Sequence, residues 1–242
     1  KNLSFTKIAL TGQANKIDEP NLFVADQGRP IALCGDTQIE GKTMLPESGL
    51  KRAYIEGKNY AGDEMIYGTI SPSEKNLPAI SQEFLNQVSN VDGEILVWDK
   101  TEDSIDVSFG DNAKHFIDDQ FTTLQNIVVN GQVMIESKDS MYVAASAQLT
   151  NVILKCPIIY IEKGFTGTAQ LFATEKIILE EDVHFLYPSV LGLIEEEFPK
   201  ENNAEITIGE RSQIIGSVFL FSKNENFRLP VQLNVSSNSA ID

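Results

Sequence analysis

One spacing limits the folds open to this chain more than any other feature. Val143, Ile161 and Leu179 stand 18 residues apart, and so do Met141, Ile159 and Ile177 two positions earlier. Four positions after the first row stand Ala147, Phe165 and Val183, and six after it Leu149, Gly167 and Phe185. Adding 29 to Leu179 gives Ile208, and the same offsets give Ile206, Ser212 and Ile214. The excess of 11 is taken up by the polar stretch from Glu195 to Asn203, which reads as a corner insertion. Self-similarity at a fixed period is the mark of a stacked repeat architecture.

A further copy lies upstream. Residues 31–45 align without gaps on residues 206–220, and the rows headed by Ile31 and Leu33 are apolar in all five copies. The row Gly41, Asn151, Ala169, Tyr187 and Gly216 is mostly small. Within each copy the apolar residues alternate, which is strand and not helix periodicity. A coil of about 18 residues makes two or three short strands joined by tight corners, with equivalent residues stacked roughly 4.8 Å apart. The expected fold is therefore all-β: a single-stranded parallel β-helix, right-handed, with a small mixed insertion or cap. An all-β sandwich with evenly spaced strands is the competing reading.

The rest of the chain is less regular. Residues 53–70 alternate and are punctuated by glycine, as in a degenerate coil, until Ser71-Pro72-Ser73 breaks the pattern. Residues 77–88 read as a short helix, with Pro78 in its first turn and Ile80, Phe84, Leu85 and Val88 on one face. Ile95-Leu96-Val97-Trp98 and Ile105-Asp106-Val107-Ser108-Phe109 flank a polar turn, a hairpin signal. The expected organisation is N-terminal coils over 1–70, an insertion or cap over 71–120, the main solenoid over 121–235 and a loose tail over 236–242. Caps suit solenoids because their ends expose unpaired strand edges.

Charge narrows the partners. The chain holds 19 Lys+Arg against 35 Asp+Glu, a formal charge of −16 over 242 residues. Phosphate binding runs on clustered Lys and Arg, so nucleic acid is not an expected partner, nor is an anionic membrane surface. No run approaches the length of apolar sequence a bilayer span needs, so no direct membrane insertion is expected from this segment. The first residue is Lys1, which leaves open whether a leader or anchor preceded it. Cys34 and Cys156 are either two buried thiols or one bridge.

Candidate chemistry is thin. Gly35…Gly41-Lys42-Thr43 has five residues between the glycines where a phosphate loop needs four, and no helix follows. Asp118-Asp119 has the form of a paired-carboxylate hydrolase site, but His115 and His184 are not placed to complete it. Glu180-Glu181-Asp182 and Glu195-Glu196-Glu197 are acidic enough for Ca²⁺ but lack a converging loop. No catalytic residue, metal or cofactor is expected. The most informative row is instead Met44, Leu154, Phe172, Val190 and Phe219, joined by Ile215 and Phe221 on the last coil. If alternation holds, this apolar stripe points outward and marks a contact, with the 77–88 helix or with a partner protein. If a corner flips the parity, it lines the core. Trp98 is a second contact candidate, with local packing as the other reading.

The coils of residues 206–220 and 31–45 resemble those of bactofilins, bacterial polymer-forming β-helix proteins. Bactofilins have an uninterrupted core, from which residues 71–120 depart. The wider text, with Asn21-Leu22-Phe23-Val24-Ala25-Asp26, Gly49-Leu50-Lys51-Arg52-Ala53-Tyr54-Ile55-Glu56-Gly57 and Leu186-Tyr187-Pro188-Ser189, resembles cell-envelope proteins of Bacteroidota. Among these are the Plug subunits that close the periplasmic mouth of the type 9 secretion translocon. That resemblance implies a non-catalytic periplasmic or envelope protein whose partner is an outer-membrane protein complex. A self-assembling bactofilin-like scaffold and a carbohydrate-active β-helix enzyme are the alternatives.

Overall fold

In the computed structural model the described residues are 20–55, 57–76, 81–89, 93–98, 103–195, 204–222 and 232–241. They are mostly β, with one short helix. The chain divides into two compact units, Lys1–Phe84 and Leu85–Asp242.

The first unit carries β1 (Leu22–Phe23), β2 (Ile31–Leu33), β3 (Glu40–Leu45), β4 (Leu50–Arg52), β5 (Tyr54–Ile55), β6 (Lys58–Asn59) and β7 (Tyr67–Pro72). β1, β3 and β7 form one parallel sheet, and β2 pairs parallel with β4. Only β5 and β6 are antiparallel among the described pairs. Leu33, Thr43 and Leu45 supply its buried inner face, and the Thr43 hydroxyl donates to the Thr69 carbonyl at 3.2 Å. Gly41, Lys42 and Thr43 are thus strand residues, with no helix after them.

Helix α1 (Gln82–Ser89) begins where the Ser81 hydroxyl accepts the Phe84 amide at 3.1 Å, the usual N-cap device. The expected helix begins at Leu77; Leu77, Pro78 and Ile80 lie outside the described residues.

The second unit holds β8 (Glu94–Val97), β9 (Ser104–Val107), β10 (Lys114–Asp118), β11 (Thr122–Leu124), β12 (Val128–Ser137), β13 (Ser140–Val143) and β14 (Gln148–Ile161). It continues with β15 (Thr166–Gly167), β16 (Ala169–Leu179), β17 (His184–Glu195), β18 (Glu205–Ile208), β19 (Gln213–Ser222), β20 (Gln232–Val235) and β21 (Ala240–Ile241). These 14 strands make one sheet, and every described pairing in it is parallel.

The expected vertical rows are present. Leu124, Val143, Ile161, Leu179, Ile208 and Val235 are successive partners, as are Thr122, Met141, Ile159, Ile177, Ile206 and Leu233. Phe185 follows Gly167 and precedes Ile214 and Ile241. A further ladder runs Leu96, Phe116, Ile135, Leu154, Leu171, Leu191 and Val218. The inward rows converge on one hydrophobic cluster.

Corners are built the same way at successive levels. Three positions after Ile161, Leu179, Ile208 and Val235 stand Gly164, Asp182, Arg211 and Asn238, all with positive φ. That left-handed residue turns the chain from one ladder into the next, and a buried side chain follows it at Phe165, Val183 and Ser212.

Three expectations need correction. Ile95–Trp98 and Ile105–Phe109 do not form a hairpin: β8 pairs with β10 and β9 with β12, both parallel, so this stretch extends the large sheet. The tail is not loose over its described part, because β21 pairs with β19 and the Ser239 hydroxyl donates to the Gly209 carbonyl at 2.8 Å. Finally, the small row slips. Ala169 stands beside Val152 and not Asn151, and Gly216 beside Ser189 and not Tyr187. The period of 18 holds between β13, β14 and the end of β16, but the ladder through Leu154, Leu171 and Leu191 steps by 17 and 20. The register shifts at Cys156/Ile158 and Phe185/Ser189, next to Pro157 and Pro188. Proline lacks the amide a ladder needs: opposite Pro157 the extra residue lies in the partner strand β16, whereas at Pro188 the proline strand β17 itself bulges.

Candidate interaction face

Register decides where the stripe residues go. Leu154 pairs with Leu171 and belongs to the core row, fully buried. Phe172 pairs with Lys155 on one side and Gly192 on the other, and Gly192 with Phe219. Val190 lies between Gln170 and Ser217, and Phe221 beside Ile194. Met44 is in the first unit, between Phe23 and Ser71. The five residues are therefore not one row. Phe172, Val190 and Phe219 lie on the outward face, while Leu154 takes the core-lining course, because the extra residue of β16 opposite Pro157 sets Leu154 against Leu171 and not Phe172. Trp98 is buried in the core, edge-on to Phe116 with ring centroids 5.5 Å apart.

Strands bury alternate residues on opposite faces. In the β10–β19 ladder, Phe116, Ile135, Leu154, Leu171 and Leu191 take the core face. The intervening positions face away from it, and several are still covered: Met134 is 1 % exposed, Phe172 5 % and Ile194 7 %, all outside the core cluster. Phe172 and Phe219 rings are 6.5 Å apart across Gly192, where a side chain would strike both. At the other end of the same outer face the side chains are ionic. His115 Nε2 lies 2.9 Å from Glu136 Oε2, and Lys155 Nζ lies 3.5 Å from Glu136 Oε1. The outer face thus grades from a part-buried charge chain on β10, β12 and β14 to an aromatic and aliphatic patch on β16, β17 and β19.

The acidic motifs are otherwise engaged. Asp118 Oδ1 accepts the Gln120 amide at 3.1 Å and Oδ2 the Thr122 hydroxyl at 3.0 Å, so it folds the turn before β11. Asp119 is paired with Lys138 at 2.5 Å. The Arg211 guanidinium grips both oxygens of Asp182, at 2.7 and 3.0 Å, and reaches Glu181 at 2.9 Å. Lys163 binds Glu181 at 2.8 Å from the level on the other side. Glu196 and Glu197 lie outside the described residues. No group of three metal-capable side chains occurs among the described residues.

That corner has a pH signature. The Arg211 guanidinium holds the Asp182 carboxyl below its usual range, and Lys163 and then Arg211 do the same for Glu181. Their folded values are depressed, so the stabilisation is present above the ordinary carboxylate range and fades as pH falls through the lowered values. Both groups are exposed, and the effect is small. Thermal melts should show wild type above Arg211→Gln at pH 7, with the gap closing under acid.

Cys34 and Cys156 are both free thiols. Burial pushes the Cys156 thiol up to about 12, and its sulfur donates to the Ile158 carbonyl at 3.1 Å. Thiolate is the reactive form, so Cys156 should resist iodoacetamide at pH 8 in the folded protein and alkylate on unfolding. Mass spectrometry of the alkylated peptide checks this.

No protein-family model, curated protein or solved structure matches this chain.

Proposed function

We propose that the chain winds as a single-stranded, right-handed parallel β-helix. We infer further that it serves as a non-catalytic docking body of the cell envelope, closing the periplasmic side of an outer-membrane protein secretion pore. The carrying observation is the long parallel ladder itself, whose outer face presents the half-buried Val190 and Phe219 over the covered Phe172 and Ile194, beside the His115–Glu136–Lys155 chain. Ladder stacking supports such a role because each outward row is held at fixed spacing by the rows on either side, which pre-organises a contact surface. Engagement of Asp118, Asp119, Glu181 and Asp182 in turns and ion pairs supports the non-catalytic part. The resemblance to envelope plug proteins supplies the address and the partner class.

The test is purification of the tagged chain from its native membranes. The expected result is co-purification with an outer-membrane complex, lost in Val190→Asp, which alters the outer face beside the patch and spares the core. Recovery of the wild-type chain alone and monomeric would contradict the reading.

A further inference from the structure

The ladder of β13, β14, β16 and β18 carries an aromatic and aliphatic strip on its solvent side. Met141, Ile159, Ile177 and Ile206 point inward there, so the residues between the inward ones face out. One outward row runs Tyr142, Tyr160, Ile178 and Thr207, and Ile158 stands beside it between Ser140 and Lys176. Tyr160 is 37 % exposed, and Tyr142, Ile158 and Ile178 are half-buried. On β15, β17 and β19 the outward row is polar by contrast, with Thr166, His184 and Gln213 in succession. An apolar strip shared by neighbouring strands on an otherwise polar surface marks a contact.

Carboxylates frame that strip. Glu162 and Glu180 continue the ladder beyond Ile161 and Leu179, their amides donating to the Val143 and Ile161 carbonyls at 2.9 and 3.0 Å. Glu162 Oε2 accepts the Ala145 amide at 2.7 Å, and Glu180 Oε2 the Lys163 amide at 2.9 Å, which holds the two carboxylates at successive levels. The Tyr142 hydroxyl donates to Glu162 and ties the aromatic row to the acidic one. On the other side Lys176 Nζ is paired with Glu205 at 2.8 Å. The whole second unit is acidic: it holds 10 Lys+Arg against 24 Asp+Glu, a formal charge of −14 out of the chain's −16.

We propose that this face binds an extended basic segment of another protein, whose arginine or lysine side chains pair with Glu162 and Glu180 over the tyrosine rings while its apolar side chains cover Ile158 and Ile178. Charge selects the occupant. A second copy would bring another acidic unit against this one and be repelled, whereas a cationic segment is drawn to it. Chemistry at the strip selects the same partner, because a guanidinium gains from the face of a tyrosine ring and from a carboxylate beside it. The strip lies on a different ladder from Phe172, Val190 and Phe219 and stands without the secretion reading.

The probe is a fluorescein-labelled synthetic peptide of alternating arginine and valine, set against the same peptide with glutamate in place of arginine. Fluorescence anisotropy with the full chain should show saturable binding of the basic peptide and none of the acidic one. Tyr160→Ser leaves every charge in place and should weaken binding by about five-fold or more, with Ile178→Thr acting in the same direction. Glu162→Gln with Glu180→Gln should weaken it by about ten-fold, and both glutamines can still accept the backbone amides. Asp103→Asn with Asp111→Asn removes as much charge from exposed positions outside the strip and should change binding by less than about two-fold in physiological salt. Thermal melts matching wild type confirm that the variants are folded. No binding of the basic peptide overturns the proposal. So does binding that Tyr160→Ser and Ile178→Thr leave unchanged, or that the two charge-removing pairs weaken equally, since the attraction would then be general to the acidic unit.

Discussion

Gly131→Val should abolish folding of the second unit or leave it severely destabilised. Gly131 sits in β12 at φ +92, in the left-handed region, and a Cβ there would strike the Val107 carbonyl of β9. Two penalties coincide: strain from a β-branched residue at positive φ, about 1–3 kcal/mol, and loss of a close backbone approach that no rotamer can relieve. The neighbouring strand cannot retreat without breaking the β9–β12 register at Val107. Circular dichroism melts should show either no cooperative transition or one lowered beyond any single core truncation. A melt close to wild type would mean that β9 and β12 are not stacked at this point.

Leu154→Ala and Val190→Ala test the register itself, because a strict period of 18 from residue 154 reaches Phe172 and then Val190, and would give all three the same environment. In the structure Leu154 is fully buried between Ile135 and Leu171 in the core row, while Val190 lies half-buried on the outer face. Leu154→Ala should cost about 2–5 kcal/mol, through lost transfer energy and a cavity that neighbouring levels cannot collapse into. For a unit of this size that lowers the melting temperature by roughly 4–20 °C. Val190→Ala should cost about 1 kcal/mol or less, since less apolar surface leaves water on folding. Equal losses would restore the single-stripe reading and remove the case for the Pro157 bulge.

The contrast between these residues shows what a sequence of this kind exposes to inspection. The stretch from Met141 to Phe185 was readable because its inward rows repeat without interruption and its corners have constant length. The all-β character and the parallel stacking follow from it, and so do the partners of Val143 and Met141. Of the two courses open to the stripe, Leu154 takes the core-lining one, because one extra residue opposite Pro157 breaks the step of 18 there and sets it against Leu171. Pro157 and Pro188 were the visible signal: a proline inside a run of ladder residues demands a bulge. Positive-φ Gly131 marks the third shift, between Asn130 and Val133. The expected hairpin failed for another reason. Two alternating strands around a polar turn look the same whether they pair with each other or with strands before and after them, and only the rows, too degenerate upstream of Lys114, distinguish the cases. Likewise the Glu180–Asp182 cluster could be weighed by spacing, but its engagement comes from a partner distant in sequence, Arg211, whereas Asp118 is taken up by the nearby Gln120 and Thr122.

Stacking of residues 18 and 29 apart is the claim on which the fold and both proposed surfaces rest. Paired cysteines on outward positions read it directly, on a Cys34→Ser background. Tyr160→Cys with Ile178→Cys, and Ile178→Cys with Thr207→Cys, place thiols on directly paired residues of adjacent strands. Tyr160→Cys with Thr207→Cys places them two strands apart, about 10 Å at a strand spacing of roughly 4.8 Å. With a crosslinker of roughly 5 Å reach, the first two pairs should close rapidly in the folded protein and the third should not. Rapid closure of the third pair with failure of the first two would contradict the stacked register and everything built on it.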